Sequence, residues 1–259
     1  MSARSSPDPL KTSASRGNGW VLDVLPETPS TNIVAARMPG WHAVRADVQT
    51  AGRGRTGRHW TSDTGGLWLS AVVPCPGPRE DWACLPLAVG WALLETLTAL
   101  GARDLRLRWP NDILAGHRKL AGLLVERHSA DTAVVGIGLN VFNRPEVADS
   151  ALQGATARLA DLINLGGRDL NDIAALVLAA VARAHQTLGE KGFTPISAAL
   201  NESWCEPRLV ALTLAGEPQP LTGGFVGINA AGNLLLRARD GRTHSYNATR
   251  VAHLRELET

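Results

Sequence analysis

Three cysteines in 259 residues, Cys75, Cys84 and Cys205, are too few and too scattered for a disulfide framework, and their spacing offers no zinc ligand set. A reducing cytoplasm fits this usage. Long apolar runs are missing too: the longest, Ile173 to Ala182, spans ten residues, half of the roughly 20 that a bilayer requires. No membrane span is expected. The N-terminus has basic residues with no apolar stretch behind them, which excludes the central region of a secretory signal. Excess charge of one sign is also absent. The net charge is +2, and Arg4, Lys11, Arg16 and Asp8 in the first 19 residues already account for it, leaving a neutral body unlike that of a general nucleic-acid binder.

What is present is a normal globular mixture, 44% hydrophobic and 19% charged, long enough for one large domain or for about 200 residues with an appendage. Ser30 can cap a short helix over residues 31 to 36. Strand-like runs at His42 to Val48 and Leu67 to Val73 flank a Gly/Arg-rich stretch with no apolar period, a loop. Leu85 to Leu100 is apolar almost all round, with Pro86 in the first turn and Gly101 at its end, and predicts a buried helix. Leu105, Leu107 and Trp109 alternate with Arg106 and Arg108 in a strand that Pro110 ends. Two more strands, Lys119 to Glu126 and Ala133 to Val141, precede a helix over Asp169 to Leu188. From Pro207 on, short strands separated by turns at Gly216-Glu217-Pro218, Ala231-Gly232-Asn233 and Asp240-Gly241 suggest a small β-barrel. The expected organisation is a disordered tail over 1–18, a mixed α+β domain over 19–205 and a barrel over 206–259.

Three constellations could carry chemistry. The stretch Gly52-Arg53-Gly54-Arg55-Thr56-Gly57-Arg58 packs three glycines and three arginines into seven residues. Glycine lets backbone N–H groups approach a ligand, and guanidinium forks match carboxylate and phosphate oxygens, so the implied guest is an anion. The stretch is neither a Walker A loop nor, lacking a following helix, a dinucleotide fingerprint; a solvated basic turn is the bland alternative. In Arg108-Trp109-Pro110-Asn111-Asp112, a turn presents Asp112 as a carboxylate for a hard cation such as magnesium, although Asn-Asp after Pro is also common in ordinary turns. In Arg118-Lys119-Leu120-Ala121-Gly122, a hairpin through Ala115-Gly116-His117 would return Lys119 close to Asp112, while Gly122 leaves room for a ligand.

Taken in order, Ser30-Thr31-Asn32, QTAGRGRTGRHW from Gln49 to Trp60, WPND from Trp109 to Asp112, RKLAG from Arg118 to Gly122 and GIGLNV from Gly136 to Val141 resemble the biotin protein ligases over about residues 20 to 255. The resemblance implies an α+β catalytic domain of the biotin/lipoate ligase type with a mixed sheet, followed by an SH3-like barrel. It also implies a cytoplasmic enzyme, monomeric or homodimeric, that makes biotinyl-5′-AMP from biotin and Mg-ATP. Biotin then passes to a lysine of a biotin carboxyl carrier domain of a biotin-dependent carboxylase. By the same resemblance Ser30, Thr31, Asn32, Gln49, Arg53, Gly54, Arg55, Lys119, Gly122, Leu124 and Gly138 would bind biotin. Arg55, Trp60, Asn111 and Asn140 would bind the nucleotide, Asp112 the magnesium, and Lys119, Arg53 and Arg55 would be catalytic. Two positions depart from the pattern: Arg108 stands where the family usually has lysine, and Asn229 replaces a common aspartate.

Only 29 residues precede Ser30, too few for a DNA-reading domain, so a ligase without repressor function is expected. A lipoate or octanoate ligase or transferase shares the fold and is the nearest rival; GRGR with RKLAG favours biotin. The rival of another class is a nucleic-acid-binding module. With only Phe225 and Tyr246 as aromatics in the barrel segment, a base-stacking platform is not expected.

Overall fold

The computed structural model describes residues 13–17, 19–143, 156–205 and 208–257. Eight strands form one sheet: β1 (Ser13–Gly17), β2 (Trp20–Thr28), β3 (His42–Gln49), β4 (Leu67–Pro74), β5 (Leu105–Arg108), β6 (Asp112–Ala115), β7 (Arg118–Glu126) and β8 (Thr132–Leu139), in the order β1-β2-β3-β4-β8-β7-β6-β5. Only β2 and β3 run parallel, joined over the sheet by α1 (Thr31–Ala35), so the sheet is mixed and the fold α+β.

Strand alternation sends two sets of side chains to opposite faces. On one face Ala71, Val73, Leu123, Val135 and Ile137 join the main core with α2 (Leu85–Ala99) and α4 (Leu170–Lys191). Asp169 starts α4 as its cap, its carboxylate accepting from the N–H of Asn171 at 2.8 Å and of Asp172 at 2.9 Å. On the other face α1 sets Ala35 against Val44, Val72 and Val134. The stretch Arg79–Ala99 is apolar and long enough by composition to cross a bilayer, a feature that uninterrupted apolar runs do not reveal; here more than half of its most apolar part is buried in the protein.

After α3 (Leu159–Leu162), α4 and α5 (Thr194–Ser203), a second sheet of β9 (Arg208–Leu214), β10 (Leu221–Ile228), β11 (Leu234–Arg237), β12 (Thr243–Tyr246) and β13 (Val251–Glu256) is antiparallel throughout, ordered β12-β11-β10-β9-β13. It fits an SH3-like unit, but among the described residues no ladder between β12 and β13 closes it into the expected barrel. Contacts at β5 and the turn after it tie this sheet, and Trp204 just ahead of it, to the first sheet. The Trp204 indole N–H donates to the Leu107 carbonyl at 2.7 Å, that of Trp109 to the Gly232 carbonyl at 3.0 Å, and Arg106 forks onto Glu256 with both distances 2.5 Å. Burial alone would raise the Glu256 pKa, and the Arg106 fork, helped by Arg208 and Arg108, holds it below the usual range instead.

Residues 13–17 lie inside the segment expected to be a disordered tail, yet they pair with β2 as an edge strand. Backbone groups alone make that ladder, so Ser13–Gly17 needs no apolar alternation to join it. Residues 1–12 and 18 of that expectation lie outside the described residues. Ser30 occupies the cap position of α1 in extended backbone but makes no side-chain cap bond there. Asp112 belongs to a strand rather than a turn, the turn being Trp109-Pro110-Asn111 with a cis Trp109–Pro110 peptide.

Candidate functional site

The site lies on the α1 face of the large sheet, where neighbouring strands put small side chains in register. Ser70 of β4, Gly136 of β8 and Leu124 of β7 form one row, and Trp68, Gly138 and Gly122 form the next. A Cβ at Gly136 would stand 2.2 Å from the Asn32 Oδ1, and one at Gly138 would stand 2.6 Å from the Trp60 indole, so these two glycines are what let α1 and the arginine loop settle on the sheet.

Above the first row lies a cavity, open at its mouth, lined by Ser30, Thr31, Asn32, Gln49, Arg53, Gly54, Trp60, Gly122, Leu124 and Gly138 among others. The structure therefore gathers nine of the eleven residues expected at biotin, Gly54 among them, and puts Arg55 and Lys119 in the adjoining cavity. Its polar wall is a relay of hydrogen bonds. The Thr31 N–H and hydroxyl both donate to Gln49 Oε1, at 2.8 and 3.0 Å, while Gln49 Nε2 donates to the Ser62 hydroxyl at 2.8 Å. Ser70, fully buried, lies 2.7 Å from the Thr31 hydroxyl and 2.6 Å from Asn32 Oδ1. Asn32 Nδ2 donates in turn to Glu126 Oε2 at 2.7 Å. With its amide groups fixed in this way, the wall suits a compact polar head that offers both donors and acceptors.

The second cavity is lined by Gly54, Arg55, Trp60, Arg108, Asn111, Asp112, Lys119, Asn140 and Val251 to Leu254 among others. Trp60 and Gly54 line both cavities, so Trp60 is the partition between them rather than a residue of the nucleotide side alone. The Lys119 ammonium sits 4.7 Å from the Trp60 ring centroid and 2.8 Å from Asp112 Oδ1. The expected Asp112–Lys119 approach is thus present. Arg55 Nη1 donates to Asn111 Oδ1 at 3.5 Å, and its Nη2 to the carbonyls of Ala248 and Val251. Burial disfavours the Arg55 charge and lowers its pKa, Asp112 acts the other way, and Arg58 adds repulsion. Asn111 Nδ2 donates to the Leu123 carbonyl at 2.7 Å, and Asn140 Nδ2 to the carbonyls of Lys119 at 3.3 Å and Ala157 at 3.1 Å, so both amides brace the floor of this cavity.

Asp112 does not fit the magnesium role expected of it. Its Oδ1 faces Lys119 and its Oδ2 accepts from Arg108 at 2.6 Å, so both oxygens already meet cations. Among the described residues no group of three or more His, Cys, Asp or Glu side chains could hold a metal ion. Burial by itself would raise the Asp112 pKa, but Lys119 first and then Arg108 hold the carboxyl below the usual range. The group in this arrangement orients the Lys119 ammonium.

Four contributors escaped the sequence reading: Ser70, Ser62, Glu126 and Gly136. Ser70 had a signal, as the one polar residue inside the apolar Leu67 to Val73 run. Gly136 had another, two residues from Gly138 and thus on the same strand face.

The chain as a whole is similar to known proteins. A profile of the Biotin/lipoate A/B protein ligase family matches residues 27–141. The biotin--[acetyl-CoA-carboxylase] ligase of Paracoccus denitrificans is 34% identical over 237 residues, 85% of this chain and 95% of that protein. This chain belongs to the biotin protein ligase family. The bifunctional ligase/repressor BirA of Bacillus subtilis (strain 168) is 29% identical over 87% of this chain and 71% of its own length. Among solved structures, the Aquifex aeolicus biotin protein ligase in complex with biotin and ATP is similar with a TM-score of 0.77 and 28% identity, over 91% of this chain and 99% of that one. The protein is a ligase acting on biotin.

Proposed function

We propose that this biotin protein ligase makes biotinyl-5′-AMP from biotin and ATP and passes biotin to a lysine of a carboxylase's carrier domain. The observation that carries the proposal is the junction of the two cavities, where Trp60 is shared and the Lys119 ammonium lies on its ring. Biotin would occupy the first cavity with its ring system on the Thr31, Asn32 and Gln49 wall, and the nucleotide would occupy the second. In the first step a biotin carboxylate oxygen attacks the α-phosphorus, the new C–O–P linkage forms, and pyrophosphate leaves. Two anions must meet in that step, and Lys119, Arg53 and Arg55 supply positive charge fixed in place beforehand. No protein nucleophile is required. In the second step the neutral amine of the carrier lysine attacks the carbonyl carbon, an amide forms, the amine's proton is released, and AMP leaves.

Magnesium would arrive with the ATP phosphates, and no step is routed through a protein-held ion. In this reading the catalytic unit spans residues 19–205, and the C-terminal unit, 206–259, lends the Ala248 and Val251 carbonyls and residues 251–254 to the nucleotide side. The test is pyrophosphate release by purified protein with ATP and magnesium, with biotin or lipoate added. Release with biotin alone, followed by biotinylation of a carrier domain, is expected. Release with lipoate alone would overturn the biotin assignment.

A further inference from the structure

Glu126, the last residue of β7, has no part in the steps above, yet it touches two side chains that line the first cavity, Asn32 and Arg53. It pairs with Val134 in the ladder, one row beyond Leu124 and Gly136, so it projects from the same face as the cavity floor. Its Oε2 receives Asn32 Nδ2 at 2.7 Å from the α1 side. The same oxygen lies 3.9 Å from Arg53 Nη2 on the loop side, and 3.8 Å from His128 Nε2. Asn32 is the anchored partner. It is buried, held by Ser70 at 2.6 Å, and also reaches the Leu124 carbonyl at 3.4 Å. Arg53 is the loose one, with its side chain 44% exposed on a loop that Trp60 seats on the large sheet and Arg55 ties to the C-terminal unit.

We infer that Glu126 is a positioning residue that latches the Gly52 to Trp60 loop over the biotin cavity, by holding Arg53 to the side of the cavity that Asn32 fixes. The inference rests on the biotin assignment of that cavity. A carboxylate fixed by a buried amide is a stationary counter-charge, whereas a free surface carboxylate would have to be ordered first. The loop thereby gains a tether whose far end is the polar wall itself. A ligand that displaces the Asn32 amide shifts Glu126 and with it the tether, so occupancy of the wall is coupled to the position of Arg53. At 3.9 Å and partial exposure the contact is that of a surface ion pair, worth about two- to fivefold in an opening equilibrium.

Glu126→Gln keeps an oxygen that accepts from Asn32 Nδ2 and loses the charge that faces Arg53 and His128, and the Arg53 background separates the tether from the His128 contact. Wild type, E126Q, R53Q and the double variant, all as full chains with matched thermal melts, are compared in two measurements. The first is backbone hydrogen exchange of residues 52–60 without ligand; the second is the rate at which biotinyl-adenylate formed in place leaves the protein. E126Q should speed loop exchange and adenylate release about two- to fivefold, and should add nothing in the R53Q background. Wild-type behaviour of E126Q, or an equal effect with and without Arg53, would overturn the latch. If wild type retains no adenylate while E126Q still speeds loop exchange only in the presence of Arg53, the latch stands and the biotin assignment falls.

Discussion

Replacing Asp112 by Asn tests the charge arrangement beneath the second cavity. The carboxylate is flanked by Lys119 at 2.8 Å and Arg108 at 2.6 Å, and the three side chains are only 14%, 18% and 13% exposed. Asparagine keeps the shape but removes the charge, and its amide turns a donor toward one of the two cations. Removing one partner from a fully buried pair costs about 3–5 kcal/mol; here each group retains an edge in water, so about 2–4 kcal/mol is expected. For a protein of this size that lowers Tm by about 5–12 °C. The pH dependence has a definite sign. Because the folded carboxyl titrates below the unfolded one, at about 3.9, its contribution is complete above that value and is lost as pH falls through the folded pKa. Urea unfolding at neutral pH and through the acid range should therefore show a gap between wild type and D112N that narrows in acid. Stabilities within about 0.5 kcal/mol at neutral pH, or a gap that persists undiminished in acid, would refute the reasoning.

Arg55→Gly removes the bonds to the Ala248 and Val251 carbonyls, so the adenylate should escape and biotinylate bystander lysines; streptavidin blots of added albumin measure this, and an unchanged background with normal ligation would count against it. Gly136→Ala puts a methyl 2.2 Å from Asn32 Oδ1 and should weaken biotin binding at least about tenfold while ATP binding persists, as titration calorimetry would show. The Gly52 to Trp60 loop should exchange its amide hydrogens more slowly with biotin bound than without; equal protection in both states would remove the case for its closure.

How legible this was follows from the kind of signal each part carries. Strands β3, β4, β7 and β8 announce themselves by apolar runs that match their burial, and α4 by its acidic cap and one apolar face. Strand β2 was missed because Asp23 and Pro26 interrupt its alternation, and α5 because Pro195 and a mixed face hide a helix of ten residues. The meeting of Lys119 with Asp112 was readable, since a hairpin's geometry follows from its turn. The second partner of Asp112 was not. Arg108 lies four residues before it and on the paired position of β5, so only the ladder shows that it claims the second oxygen and displaces a metal role. Glu126 and Ser70 gained their roles from register with β8 and from α1 above them, contacts that span 94 and 38 positions in the chain and leave no local trace.

Lys119 carries the central claim, that the junction of the two cavities is where biotin is adenylated. The decisive measurement is single-turnover formation of biotinyl-adenylate by wild type and Lys119→Gln, with lipoate as the control substrate and a thermal melt of each protein. The account predicts adenylation by wild type with biotin only, slowed on the order of 10²-fold in the glutamine variant, by analogy with the loss of one preorganised donor. A folded glutamine variant that forms the adenylate at the wild-type rate would contradict it.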